Sequence, residues 1–182
     1  MSRVILLWSG GKDAMLALCH ARDAGHQVVA LATFAPLKPR FLAHPLPLVR
    51  RQAAALGLPH LLVTIEAPFE QGYEMALSRL RQEWALDGVV TGDIDSVGGA
   101  PNWIRERCQP LGLTVHTPLW QQSRQALLAD MLARGIVAHL SCVDTRVLAP
   151  EWVGRRLDAA TLAELQQLAA TRGFDACGEQ GE

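Results

Sequence analysis

Apolar positions along the chain fall into two patterns that alternate. Val4-Ile5-Leu6-Leu7-Trp8 is a continuous apolar run closed by glycines, which suits a strand buried on both faces of a parallel sheet. From Asp13 the apolar residues Met15, Leu16, Leu18 and Cys19 take helical spacing up to Gly25, where a residue without Cβ accepts the left-handed cap. Further strands are predicted near Gln27 to Thr33, His60 to Ile65, Gly88 to Thr91, Thr114 to Thr117 and Ile136 to Cys142, with helices between them. The clearest helix follows Pro68 and carries Phe69, Tyr73, Leu77, Leu80 and Trp84 as one stripe. Another is expected to start at Pro101, with Ile104, Cys108 and Leu111 before Gly112, and a third carries Leu127, Leu128, Met131 and Leu132 before Gly135. Each of these helices is expected to end on a glycine.

Strands alternating with helices imply right-handed crossovers and an α/β fold. The expected architecture is a doubly wound, mostly parallel, Rossmann-like sheet with helices on both faces and ligands at the strand C-termini. The proline-rich segment Ala35 to Pro47 reads as a loop near that edge. The tail from Leu148 reads as a small helical appendage whose last helix is capped by Asp158 or Thr161. The expected division is a nucleotide-binding α/β domain over 1–147 and a C-terminal acceptor-side segment over 148–182.

Composition narrows the partners. In 182 residues with 17 basic and 18 acidic side chains the net charge is −1, which gives no general positive surface for a nucleic-acid backbone. Cys19, Cys108, Cys142 and Cys177 are widely spaced, without zinc-ligand pairing, and read as reduced, mostly buried thiols. Met1 leads directly into a strand-like segment, and no run approaches the about 18 apolar residues of a membrane span. A cytoplasmic protein with no membrane partner is expected, its oligomeric state open. Arginine dominates the basic set and only Lys12 and Lys38 are lysines, so a lysine directly after two glycines stands out as a compact charge.

That lysine belongs to Ser9-Gly10-Gly11-Lys12-Asp13, at the junction of the first strand and first helix. Unpaired N–H groups and the positive end of the helix dipole converge at such a junction, a setting that holds phosphate. The glycines let the backbone approach an anion, Ser9 adds a hydroxyl, Lys12 adds a point charge, and Asp13 either caps the helix or helps hold Mg²⁺. No G-x-x-x-x-G-K-[ST] and no G-x-G-x-x-G follows this strand. A tight turn without ligand is the other reading of the same glycines.

The loop resembles the PP-loop of N-type ATP pyrophosphatases, usually S-G-G-x-D-[ST]. Ala14 stands where that family has a hydroxyl. Gly92-Asp93-Ile94, Pro118-Leu119-Trp120, Cys142-Val143-Asp144, Gly154-Arg155-Arg156-Leu157-Asp158 and Cys177-Gly178-Glu179-Gln180-Gly181-Glu182 extend the likeness over the whole chain. Together they are similar to the diphthine–ammonia ligase family and its bacterial relatives.

The resemblance implies a HUP-type sheet and amide formation. ATP activates a carboxylate as an acyl-adenylate, ammonia attacks to leave the amide and AMP, and Mg²⁺ neutralises the phosphates. Carried onto this chain, Ser9, Gly10, Gly11, Lys12 and Asp13 hold the phosphates, with Lys12 and Asp13 catalytic and Asp13 on the metal. Gly92 and Asp93 line the nucleotide cleft, and Glu179 and Glu182 face the acceptor or the ammonium, where a carboxylate pair can take a proton. Asp93 as a loop cap and the two glutamates as a solvated tail are the competing readings. The family continues past this ending into a further strand and turn, so an incomplete acceptor side is expected.

Weaker candidates are His44, near the nucleotide or at a helix entry, and Arg155 and Arg156, on an anionic acceptor or as an exposed helical pair. Trp84, Trp103, Trp120 and Trp152 read as packing residues. The leading expectation is an ATP-dependent ligase acting on an unknown carboxylate. The alternatives are a nucleotide-binding module without turnover and a PP-loop enzyme that modifies RNA.

Overall fold

A computed structural model describes residues 1–41, 43–96 and 102–178. The chain divides into two compact units, Met1–Gln121 and Gln122–Glu182.

The first unit holds a five-stranded sheet built from β1 (Arg3–Leu7), β2 (Gln27–Ala35), β3 (His60–Thr64), β4 (Gly88–Val90) and β5 (Thr114–His116). The spatial order is β3-β2-β1-β4-β5 and every neighbouring pair is parallel. β1 is central, as its unbroken apolar run demands, with Val4, Ile5 and Leu6 fully buried. Its register with β2 shifts after Val4, so Ile5 pairs with Ala30.

Helices α1 (Lys12–Asp23), α2 (Leu46–Ala55), α3 (Phe69–Trp84) and α4 (Trp103–Cys108) fill the connections. One core gathers Ile5, Ala30, Ala32, Val63 and Val89 from the sheet with Leu77 and Leu80 of α3 and Cys108 of α4. α1 packs against β1, β2 and β4, burying Leu16, Ala17, Leu18 and Ala21. This strand order reverses direction between β1 and β4, which places a crevice beyond their C-terminal ends.

Four expectations need correction. α3 ends on Ala85 in the left-handed region at φ 49, not on a glycine. The predicted start of α4 at Pro101 lies outside the described residues, and the helix runs from Trp103 with Asn102 as its cap. Cys142 is exposed and Cys19 half-buried, so only Cys108 and Cys177 are buried, and none of the four is in a disulfide.

The fourth correction is Ile136 to Cys142, which forms no sheet strand. His139 makes a single antiparallel bridge to Arg156, and Leu140 and Ala138 exchange backbone hydrogen bonds with the 154–157 stretch. Ile136, Ala138 and Leu140 pack on the second unit's core while Val137 and His139 are exposed, the signature of a half-buried segment.

The second unit contains α5 (Arg124–Ala133) and α6 (Ala159–Arg172). Ser123 caps α5, and Asp158 caps α6 by accepting from the Thr161 N–H at 2.9 Å. Leu128 and Met131 of α5 join Leu148, Trp152, Leu157, Leu162, Leu165 and Cys177 in one core. The division therefore falls ahead of α5, earlier than the expected 147/148 boundary. Among the described residues no helix is long and apolar enough to cross a membrane.

Candidate functional site

β1 delivers the glycine loop to the crevice. Trp8 still belongs to the sheet by its hydrogen bonds, donating its N–H to the Ala32 carbonyl at 2.8 Å and accepting from Thr33 Oγ1 at 2.6 Å. The chain then turns. Gly10 sits at φ +83, a conformation that favours glycine, and its carbonyl accepts from Gln52 Nε2 of α2 at 2.9 Å. A Cβ on Gly10 would stand 2.5 Å from Gln52 Oε1, so the end of that flexible side chain would have to swing aside to admit it.

α1 begins at Gly11 without any side-chain cap, which leaves the N–H groups of its first turn directed at the crevice. Ser9 Oγ accepts from the Gly11 N–H at 3.2 Å. Lys12 Nζ lies 2.6 Å from Asp13 Oδ2 and both side chains are largely buried. Asp13 is thus an ion-pair partner of Lys12 and not the helix cap that was one of its two readings. The loop offers a compact cation, a hydroxyl and backbone donors around one carboxylate.

Gly92 follows β4 and meets this loop from the other side of the crevice. A Cβ there would lie 2.9 Å from Ala14 N, 2.9 Å from the Asp13 carbonyl carbon and 3.0 Å from its oxygen. The glycine lets β4 press directly on the first turn of α1. Asp93 is built into the same wall. Its Oδ2 accepts from Thr91 Oγ1 at 2.8 Å and from Asn102 Nδ2 at 2.8 Å, tying the end of β4 to the cap of α4. Tyr73 of α3 stands near it, stacked on Phe34 at 4.4 Å and edge-on to Trp103 at 4.7 Å. Burial, and then the Asp93 charge, push the Tyr73 hydroxyl up to about 12.

His44 is where the structure departs most from a sequence-based ranking. The loop between β2 and α2 lays its imidazole against Gly11, and a Cβ on Gly11 would meet His44 Nε2 at 3.3 Å and Cε1 at 3.4 Å. Partial burial and then the Lys12 charge hold its pKa below the ordinary 6.5, with Asp13 opposing. Gln52 was not singled out by any pattern. His44 is a candidate near the nucleotide from its place in the proline-rich loop, whereas no local signal marks Gln52, and both contacts arise from a crossover that returns α2 to the loop.

Glu179 and Glu182 lie outside the described residues. Arg155 stacks on Trp152 at 3.9 Å and bonds Glu164 Oε2 at 2.8 Å. Arg155 and Arg156 precede α6, so the reading as a helical pair does not hold. Trp8 and Trp152 are buried, whereas Trp103 is exposed and carries Arg107 at 5.8 Å from its ring centroid. Among the described residues no group of three His, Cys, Asp or Glu side chains is placed to hold a metal. Mg²⁺ ordinarily takes only one or two protein carboxylates beside phosphate oxygens, and the loop supplies one in Asp13.

Comparison with known proteins gives a consistent outcome. Residues 2–115 match the family model of the diphthamide synthase N-terminal domain. A diphthine–ammonia ligase of Danio rerio is 31% identical, covering 99% of this chain and 79% of that protein. The human diphthine–ammonia ligase is 29% identical, covering 99% of this chain and 76% of that protein. A solved structure from Methanocaldococcus jannaschii, described as a predicted subunit of tRNA methyltransferase, superposes with a TM-score of 0.54 at 19% identity, over 97% of this chain and 90% of that one. At that identity the last likeness speaks to fold alone.

Proposed function

The chain belongs to the diphthamide synthase N-terminal domain family, and from that premise we propose that it is an ATP-dependent ligase that converts a carboxylate to an amide with ammonia. The observation that carries this reading is the uncapped α1 N-terminus with Lys12 and Asp13 on it and Gly92 pressed against its first turn.

The loop's N–H groups and Lys12 receive the β- and γ-phosphates, while Gly92 and Asp93 form the wall along the rest of the nucleotide. Lys12 and Asp13 neutralise each other at 2.6 Å. An arriving phosphate competes for Lys12 and the divalent ion on that phosphate competes for Asp13, so one internal pair is exchanged for two external ones. This exchange makes binding cooperative between nucleotide and metal. Bound Mg²⁺ supplies neutralisation of the phosphate charge.

An oxygen of the acceptor carboxylate then bonds to the α-phosphorus and the bridge to the β-phosphate breaks, giving an acyl-adenylate and pyrophosphate. Ammonia attacks the acyl carbon, and amide, AMP and a proton are released. Glu179 and Glu182 are proposed as the carboxylates that hold ammonium and take that proton. The acceptor is a carboxylate of unassigned identity.

Adenylation is reversible, which supplies the test. Labelled pyrophosphate should enter ATP when a competent carboxylate is present, without any need for ammonia. Exchange that occurs in every acceptor-free control, or appears only with ammonia, would overturn the order of steps.

Ala14 supports one second reading. It occupies the position where the family loop has a hydroxyl, and it is 4% exposed. A nucleotide-binding module without turnover would bind ATP yet show no exchange across a panel of carboxylates.

A further inference from the structure

His44 is a polar ring in a place where packing alone does not ask for one. Its Nε2–Cε1 edge lies on the same face of Gly11 as Ser9 Oγ, which is 3.4 Å from the Gly11 Cβ position. Gly11 is the residue from which the anion-facing turn of α1 starts. Among the described residues no hydrogen bond engages the imidazole, and Ser9, Gly11, Lys12 and Asp13 are the loop residues it faces.

The contact is held in place from behind. Gln52, two turns along α2, donates to the Gly10 carbonyl at 2.9 Å, and its own Oε1 is buried without a partner. Leaving a buried acceptor unpaired is costly, so the latch between α2 and the loop is kept against a penalty. A latch that fixes α2 also fixes the residue just ahead of its first turn, which is the position of His44.

We propose that His44 is a further catalytic residue of the phosphate loop, donating a hydrogen bond from Nε2 to the pyrophosphate end of the nucleotide as the α,β-bridge opens. The inference rests on the loop being the nucleotide site. As the acceptor oxygen bonds to the α-phosphorus, the electron pair of the broken bond stays on the bridging oxygen, and pyrophosphate leaves. His44 remains hydrogen-bonded to a phosphate oxygen throughout and transfers no proton. It acts where negative charge grows, beside Lys12, with a ring N–H as the donor.

The test uses inorganic pyrophosphate and AMP as separate calorimetric ligands on the full chain, with His44→Ala and His44→Gln. A hydrogen bond to a charged group predicts that His44→Ala weakens pyrophosphate binding about tenfold to a hundredfold. His44→Gln, which carries an amide donor of similar reach, should recover most of it. AMP affinity and the melting temperature should be unchanged in both variants.

Wild-type pyrophosphate affinity in His44→Ala would overturn the proposal. So would a parallel loss of AMP and pyrophosphate binding, or a loss that glutamine fails to restore, since each marks a packing role. His44-dependent pyrophosphate binding without carboxylate-dependent exchange would sink the ligase reading and leave the His44 assignment standing. A wild-type chain that binds neither pyrophosphate nor ATP would remove both.

Discussion

Gly92→Ala is the sharpest way to perturb the crevice without touching a charged group. The added methyl would sit 2.9 Å from Ala14 N and from the Asp13 carbonyl carbon, both backbone atoms at the start of α1. No side chain can swing aside, so β4 and the first turn of α1 must separate by several tenths of an ångström. Forcing a group into a filled site costs about 1–3 kcal/mol. In a chain of this size each kcal/mol lowers the melting temperature by about 2–4 °C, so a drop of about 2–12 °C is expected. The same shift moves the N–H groups that face phosphate, and displacements of that order weaken a positioned contact by about tenfold to a hundredfold.

The control is Gly25→Ala at the other end of the same helix, about 18 Å away. There the added carbon meets nothing within 4 Å but the backbone has φ +77, so the variant carries only left-handed strain, about 1–2 kcal/mol. Calorimetry with Mg·ATP and thermal melts on both variants separate stability from binding. Both should melt earlier, and only Gly92→Ala should lose nucleotide affinity. If Gly92→Ala binds ATP like the wild type, or Gly25→Ala loses as much, the placement of Gly92 in the nucleotide wall is wrong.

Lys12→Ala removes the loop's ammonium and should lower ATP affinity about tenfold to a hundredfold in calorimetry, by loss of a charge-assisted contact. Lys12→Arg should not restore it, because the forked guanidinium does not fit a slot made for a compact charge. Ala14→Ser returns the hydroxyl of the family loop and should raise the rate of AMP release, read by chromatography. Stability should fall on acidification, because burial and the neighbouring His26 ring at 4.2 Å hold the folded His116 below its ordinary 6.5. Below pH 6.5 the unfolded chain binds the proton that the folded one resists, so stability is full above that pH and declines beneath it. Denaturant midpoints at pH 7.5 and 5.5 should therefore differ by less in His116→Gln.

Legibility in the sequence followed physical locality. β1 and α1 were readable because an unbroken apolar run, two glycines and a helical stripe are local causes, and Lys12 and Asp13 lie within them. The parallel sheet follows from alternation and crossover handedness, whereas the order β3-β2-β1-β4-β5 does not, because no local signal says on which side of β1 each new strand is laid. Ile136 to Cys142 misleads because its alternation suits a half-buried strand, while the segment forms only the single bridge from His139 to Arg156. Ala85 could not be anticipated as the end of α3, since an alanine gives no sign of taking the left-handed region. α5 was placed with the first unit because its stripe resembles any crossover helix, and only packing shows Leu128 and Met131 in the second core. His44 and Gln52 reach the loop through the fold, from residues distant in the chain.

The central claim is that this chain opens ATP between the α- and β-phosphates. ATP labelled on the γ-phosphate, incubated with Mg²⁺, ammonium and fractionated cellular carboxylates, tests it in one chromatogram. Labelled pyrophosphate with an equal amount of AMP is expected, both lost in Lys12→Ala. Labelled orthophosphate with ADP, from the same fraction and dependent on the same lysine, would contradict it.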